Sequence, residues 1–87
     1  MNKEYAYSYN IRPETDEKAF KKICKIIESK LKGIEKEKLL IDVDGTLIQI
    51  YYFYGEKIAV YDDYDVDAVY IDSDVDLEDV LGLKSIW

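Results

Sequence analysis

Between Asp62 and Asp79 the chain carries nine carboxylates and no base. Asp63, Asp65 and Asp67 alternate along the sequence, and so do Asp72, Asp74 and Asp76. In extended backbone, alternate side chains share a face about 6.5–7 Å apart, and two steps along one DNA strand advance about 6.8 Å. Aspartates in this pattern can present anions at a phosphate-like interval to a cationic groove. Tyr61, Tyr64 and Tyr70 interleave the run. Tyrosine adds rigid contact area and can stack on arginine. The chemistry this points to is recognition rather than catalysis. The residues expected to bind a partner are Asp62, Asp63, Tyr64, Asp65, Asp67, Tyr70, Asp72, Asp74 and Asp76.

Other chemistry finds less support. Histidine is absent, which removes the commonest general base and the commonest metal ligand. Cys24 is the only cysteine, so no internal disulfide forms, and a reducing, cytoplasmic setting is expected. It falls on the apolar stripe of a helix, where burial raises a thiol's pKa and makes it inert. Both aspartate triplets begin as calcium loops of the EF-hand type do. Such a loop needs glycine at its sixth position and glutamate at its twelfth. Counted from Asp63 these positions hold Ala68 and Asp74, and counted from Asp72 the sixth is Leu77. No metal or other cofactor is therefore expected.

Eighty-seven residues, 48% of them apolar, suffice for one compact domain spanning 1–87. Through Lys38 there are ten bases and seven acids. Beyond it there are two bases and twelve acids, giving −7 in total. Such a chain should be repelled by nucleic acid and by anionic membranes, so its charged partners should be basic proteins. No apolar run approaches the 18 residues of a membrane span, and the first residues lack the apolar stretch of a signal peptide.

The elements that must position the acids follow from periodicity. Tyr5, Tyr7, Tyr9 and Ile11 alternate and predict a strand over 4–11, stopped by Arg12-Pro13. Phe20, Ile23, Cys24, Ile27 and Leu31 recur at three and four, predicting a helix over 14–32 with Gly33 as its cap. Two strands, 38–43 and 46–54, are joined by Asp44-Gly45 as a type I′ turn. That turn sets Ile41 opposite Ile48 and Leu39 opposite Ile50 on one face. A turn at Gly55-Glu56 leads to a strand over 57–62, and a further short strand is expected over 68–72. Ser73 or Asp76 caps a short helix ended by Gly82, and Trp87 folds back onto the core. The fold class is α+β: an antiparallel sheet of four or five strands with one long helix on a face, in the order β-α-β-β-β-(β)-α.

Three resemblances bear on function. Leu39-Leu40-Ile41-Asp42-Val43-Asp44-Gly45-Thr46-Leu47 resembles the first motif of the haloacid-dehalogenase phosphatases. The resemblance implies Asp42 as nucleophile, Asp44 as general acid/base and Mg²⁺ as cofactor. That family needs a doubly wound parallel sheet, each crossover taking about a dozen residues or more, and 43 residues follow Asp44. An Asp-Gly hairpin accounts for the same nine residues. The α-β-β-β-α section is similar in order to a double-stranded-RNA-binding domain. That family grips phosphates with bases, where this chain carries acids. Size, acidity and a compact α+β domain look like small phage-encoded inhibitors of the anti-CRISPR type, some of which mimic DNA. That resemblance is one of class and transfers no residue. The function expected is a non-enzymatic inhibitor whose acidic, tyrosine-bearing surface blocks the basic nucleic-acid-binding surface of another protein, such as a CRISPR effector nuclease. The alternatives are an immunity protein that neutralises a cationic nuclease toxin, and an assembly module whose acidic face is merely solvated.

Overall fold

A computed structural model describes residues 5–82. It is α+β, with a six-stranded antiparallel sheet and one principal helix packed on a face. The elements are β1 (Tyr7–Arg12), α1 (Glu17–Lys30), β2 (Glu35–Lys36), β3 (Leu40–Ile41), β4 (Leu47–Phe53), β5 (Glu56–Asp63), β6 (Ala68–Ser73) and α2 (Glu78–Leu81). The sheet runs β1-β6-β5-β4-β2, and β3 pairs with the same edge of β4 as β2 does, nearer the start of that strand. Expected Trp87 lies outside the described residues.

The helix forms on the predicted stripe: Phe20, Cys24, Ile27 and Leu31 are buried, and Ile23 packs beside them. Its bounds are tighter than 14–32. Asp16 adopts an extended conformation and its Oδ1 accepts from Ala19 N at 3.0 Å, so the N-cap stands there rather than at the residues after Pro13. Leu31 ends the helix in an extended conformation, and Gly33 lies in the turn beyond it at φ +81°.

Burial of one helix face selects one face of the sheet. Tyr51, Ile58, Val60, Asp62, Val69, Ile71 and Ser73 point toward α1 and are buried. Ile48, Ile50, Tyr52, Lys57, Tyr61, Tyr70 and Asp72 alternate with them on the outer face, which no helix covers among the described residues. The bulky run Tyr51-Tyr52-Phe53 is thereby divided, with Tyr51 and Phe53 inside and Tyr52 outside.

Turn chemistry corrects the expected register. Gly45 N donates to Asp42 O, and Asp42 N donates to Thr46 O. Three residues therefore close the β3–β4 hairpin, the last a glycine at φ +95°, in place of a two-residue type I′ turn. Ile41 then meets Leu47 and Leu40 meets Ile48, one step from the expected pairing. A one-residue slip exchanges the faces. Ile41 falls on the helix side and Gln49 is buried, donating to Glu37 O at 2.6 Å. The turn with two positive φ values lies instead at Tyr54-Gly55, between paired Phe53 and Glu56. The strand expected over 38–43 shrinks to Leu40–Ile41. Gln49 instead holds the preceding segment through Glu37, beside β2, which carries no strand-like alternation long enough to read.

A β-carbon at Gly45 has room, its nearest neighbour being the Tyr64 ring at 3.8 Å, so the cost of replacing it lies in the backbone. Gly45→Ala is expected to lower stability by about 1–2 kcal/mol. The measurement is a urea titration, with a lower midpoint at unchanged slope.

Candidate functional site

The acidic run occupies the end of β5, the loop after it, β6 and the bend that leads to α2. Its members divide into anchors and surface groups. Asp62 is an anchor, which corrects its assignment as a binding residue. It faces the helix, is 0% exposed, and its Oδ1 accepts from Asp16 N at 2.9 Å. The carboxylate thus ties the start of α1 to the sheet, where the positive end of the helix dipole favours an anion. Its Oδ2 is buried with no hydrogen-bond partner.

Five of the other acids, Asp63, Asp67, Asp72, Asp74 and Asp76, are placed by backbone and hydroxyl groups. Asp63 Oδ1 accepts from Asp65 N at 2.9 Å and its Oδ2 from the Tyr70 hydroxyl at 2.7 Å. Asp67 Oδ1 accepts from Thr15 N, and Asp67 itself sits at φ +57°. Asp72 accepts from the Ser8 hydroxyl and Asp74 from Ala6 N. Asp76 accepts from Glu78 N and from the Tyr9 hydroxyl, which in turn accepts from Leu77 N. Asp65 is exposed.

The expected single row of carboxylates is therefore not what forms. Asp65 and Asp67 belong to a turn rather than to extended chain, because residues 64–67 close the β5–β6 hairpin, and Asp63 is the last residue of the strand before it. Asp74 and Asp76 lie past the far end of β6. Six strand residues, about 20 Å, separate the two groups, and only Asp72 lies on the sheet between them. Period-two spacing places carboxylates on one face only where the backbone stays extended.

Two expected features do meet. Tyr70 stacks on Tyr61 with ring centroids 4.6 Å apart and planes 17° from parallel. The pair stands half-buried on the outer face, bounded by Asp63 and Asp72. Burial pushes the Tyr70 hydroxyl well above its ordinary pKa, and its bond to Asp63 adds to the rise. Tyr64 is exposed and its N donates to Thr46 Oγ1 at 2.9 Å, which draws the β5–β6 loop against the β3–β4 loop. Among the described residues, no acid from Asp62 to Asp79 lies within 4 Å of a lysine or arginine nitrogen. The ion pairs that form are Arg12–Asp16, Lys21–Glu17 and Lys36–Glu28.

The remaining chemistry is structural. Asp42 Oδ1 accepts from Val43 N, and Asp44 Oδ1 accepts from Thr46 N at 2.9 Å. The latter bond holds the Asp44 carboxyl below its ordinary pKa. Both acids shape an antiparallel hairpin, and the sheet contains no parallel pair among the described residues, unlike the doubly wound fold that the phosphatase motif implies. Among the described residues no group of three or more Asp, Glu, Cys or His side chains is placed to hold a metal ion. Cys24 is buried, and burial raises its thiol pKa. Beside it the Tyr51 hydroxyl donates to Glu28 at 2.5 Å, and Lys36 pairs with the same carboxylate oxygen at 3.1 Å. Glu28 and Lys36 are among the residues that line a groove of about 410 Å³ between α1, β3 and β4. Burial opposes ionisation of Glu28, yet Tyr51 and Lys36 together hold its pKa below the ordinary value. No described helix is long and apolar enough to cross a membrane. Compared with protein-family models, with curated proteins and with solved structures, the chain matches none.

Removing the Asp62 carboxylate leaves the half-buried Asp16 N–H without its acceptor. Asp62→Ala is expected to cost about 1–3 kcal/mol, whereas Asp65→Asn on the exposed loop should stay within about 0.5 kcal/mol. Chemical denaturation of the two variants separates an anchor from a surface acid.

Alkaline titration provides a second check. Burial, then the bond to Glu28, raises the Tyr51 pKa far above its ordinary 10.0, and Tyr70 shifts the same way. A folded-state pKa above the unfolded one contributes stability that is fully present below pH 10 and is lost as the pH climbs past it. Stability should therefore fall above pH 10. Tyrosinate absorbance should show Tyr51 ionising only with unfolding, and Tyr51→Phe should remove that component.

Proposed function

We propose that the chain is a non-enzymatic binding protein whose acidic end and tyrosine-bearing outer face occupy a basic surface on another protein. The target class is a nucleic-acid-processing enzyme, and occupation of its cationic groove would exclude the nucleic acid. One observation carries the reading. The carboxylates of Asp63, Asp67, Asp72, Asp74 and Asp76 are immobilised by N–H and O–H donors, yet none of them is neutralised by a lysine or arginine among the described residues. Fixed, uncompensated like charges oppose folding, and a cationic partner relieves that repulsion. Fixing them beforehand also lowers the ordering cost of binding. The stacked Tyr61–Tyr70 pair offers rigid area at the centre of the face. A CRISPR effector nuclease and a cationic nuclease toxin are both targets of this chemistry, and they share one mechanism.

The test is affinity capture with the full chain from cells of its source, with washes from low to high salt. The captured protein should be a nucleic-acid binder. Its release should track ionic strength, and added DNA or RNA should compete for it. Charge reversal at Asp65 and Asp72 should weaken capture while the circular dichroism spectrum stays unchanged. Salt-insensitive capture, or binding that tolerates bound nucleic acid, would overturn the proposal.

A further inference from the structure

The β3–β4 and β5–β6 hairpins end side by side. β4 and β5 are neighbours, Leu47 pairs with Asp62, Tyr64 N bonds Thr46 Oγ1, and the Tyr64 ring lies over Gly45. Each loop carries the same tripeptide, Asp42-Val43-Asp44 in one and Asp65-Val66-Asp67 in the other. The central valine faces solvent in both, at 101% exposure for Val43 and 59% for Val66. A third copy, Asp74-Val75-Asp76, lies at the opposite end of β6 and behaves differently, its valine packing against the core. Leu40, Ile41 and Tyr64 are exposed around the two prongs. Six of the eight large exposed apolar residues among those described belong to these two hairpins or to Leu39 beside them. This end of the molecule therefore combines apolar tips with the carboxylates of Asp42, Asp44, Asp63, Asp65 and Asp67, and neither loop contains a base.

Exposed apolar area with a polar, charged rim is the anatomy of a protein-binding surface. Turn geometry does not require valine at either tip. At Val43 and Val66 a polar residue would serve the loop equally and keep apolar area out of water. The midlines of the two hairpins are two strand spacings apart, about 10 Å. Seven residues of an α-helix rise about 10.5 Å. Apolar side chains at i and i+7 of a partner helix, with i+3 or i+4 between, would meet both prongs, and flanking lysines or arginines would meet the aspartates.

We infer that the paired Asp-Val-Asp tips form a two-pronged dock for a cationic amphipathic helix of a partner protein. The inference rests on the reading of the acidic end as a site for basic proteins, and it adds the helical form of the partner and its apolar stripe. Apolar contact at two valines corresponds to roughly tenfold in affinity.

The experiment uses the full chain and two fluorescent synthetic peptides of identical composition in lysine, leucine and alanine. One places leucines at i, i+3 or i+4, and i+7 of a helix, and the other scrambles them so that no stripe forms. The striped peptide should bind about tenfold more tightly. The double variant Val43→Ser, Val66→Ser should lose that preference while binding the scrambled peptide as before, since both valines are exposed and a circular dichroism spectrum checks that the fold is kept. Asp65→Asn should weaken both peptides alike. Equal, salt-sensitive binding of the two peptides, or a preference that survives the double valine variant, overturns the helix dock and leaves the basic-partner reading standing. Failure of the chain to bind either peptide at low salt overturns both.

Discussion

A single amphipathic helix lying on one face of the sheet is the constraint on which the rest depends. Phe20, Cys24, Ile27 and Leu31 need an apolar surface to bury against, and Tyr51, Ile58, Val60, Val69 and Ile71 supply it. Because strand side chains alternate, choosing that face consigns Ile48, Ile50, Tyr52, Tyr61, Tyr70 and Asp72 to the other. A shift of one residue in any of the central strands would exchange the two sets. The outer face is thus a consequence of helix packing rather than an independent device.

Asp62 shows how closely the acidic run is bound into that packing. By sequence it belongs with eight other acids. By position it faces the core and holds the N-terminal end of α1. The surrounding aspartates make similar local bonds at loop and strand ends, where free N–H groups accumulate. Much of the run therefore shapes the backbone, and the negative field is what the same side chains present outward. Structure and charge are not alternatives for these residues. An aspartate that accepts an N–H bond still carries its full charge and is better fixed for doing so.

The lysines do not cancel this field among the described residues. Those of α1 project from the helix side, and the ion pairs there are made with Glu17 and Glu28. The acids cluster on the loops at the hairpin tips and along β6. The separation visible in the sequence as +3 before residue 39 and −10 after it is not closed by ion pairs among the described residues, since each of the three that form joins two groups within the first 38 residues.

By itself the sequence determined the α+β class, the buried stripe of α1, the strands around β5 and β6, and the charge imbalance, since periodicity and composition are local properties of the chain. Only the tertiary structure decided the rest. The register of the β3–β4 hairpin turned on a three-residue loop in place of a two-residue one, and both loop lengths fit the same Asp-Gly signal. The pairing of β2 was invisible because two residues carry no period. The aspartates at 63, 65 and 67 share the spacing of a strand, but the chain turns over 64–67, with Asp67 itself at positive φ. Whether a carboxylate faces a helix terminus or water depends on what packs across the sheet from it, and residues that meet there, as Asp16 and Asp62 do, stand far apart along the chain.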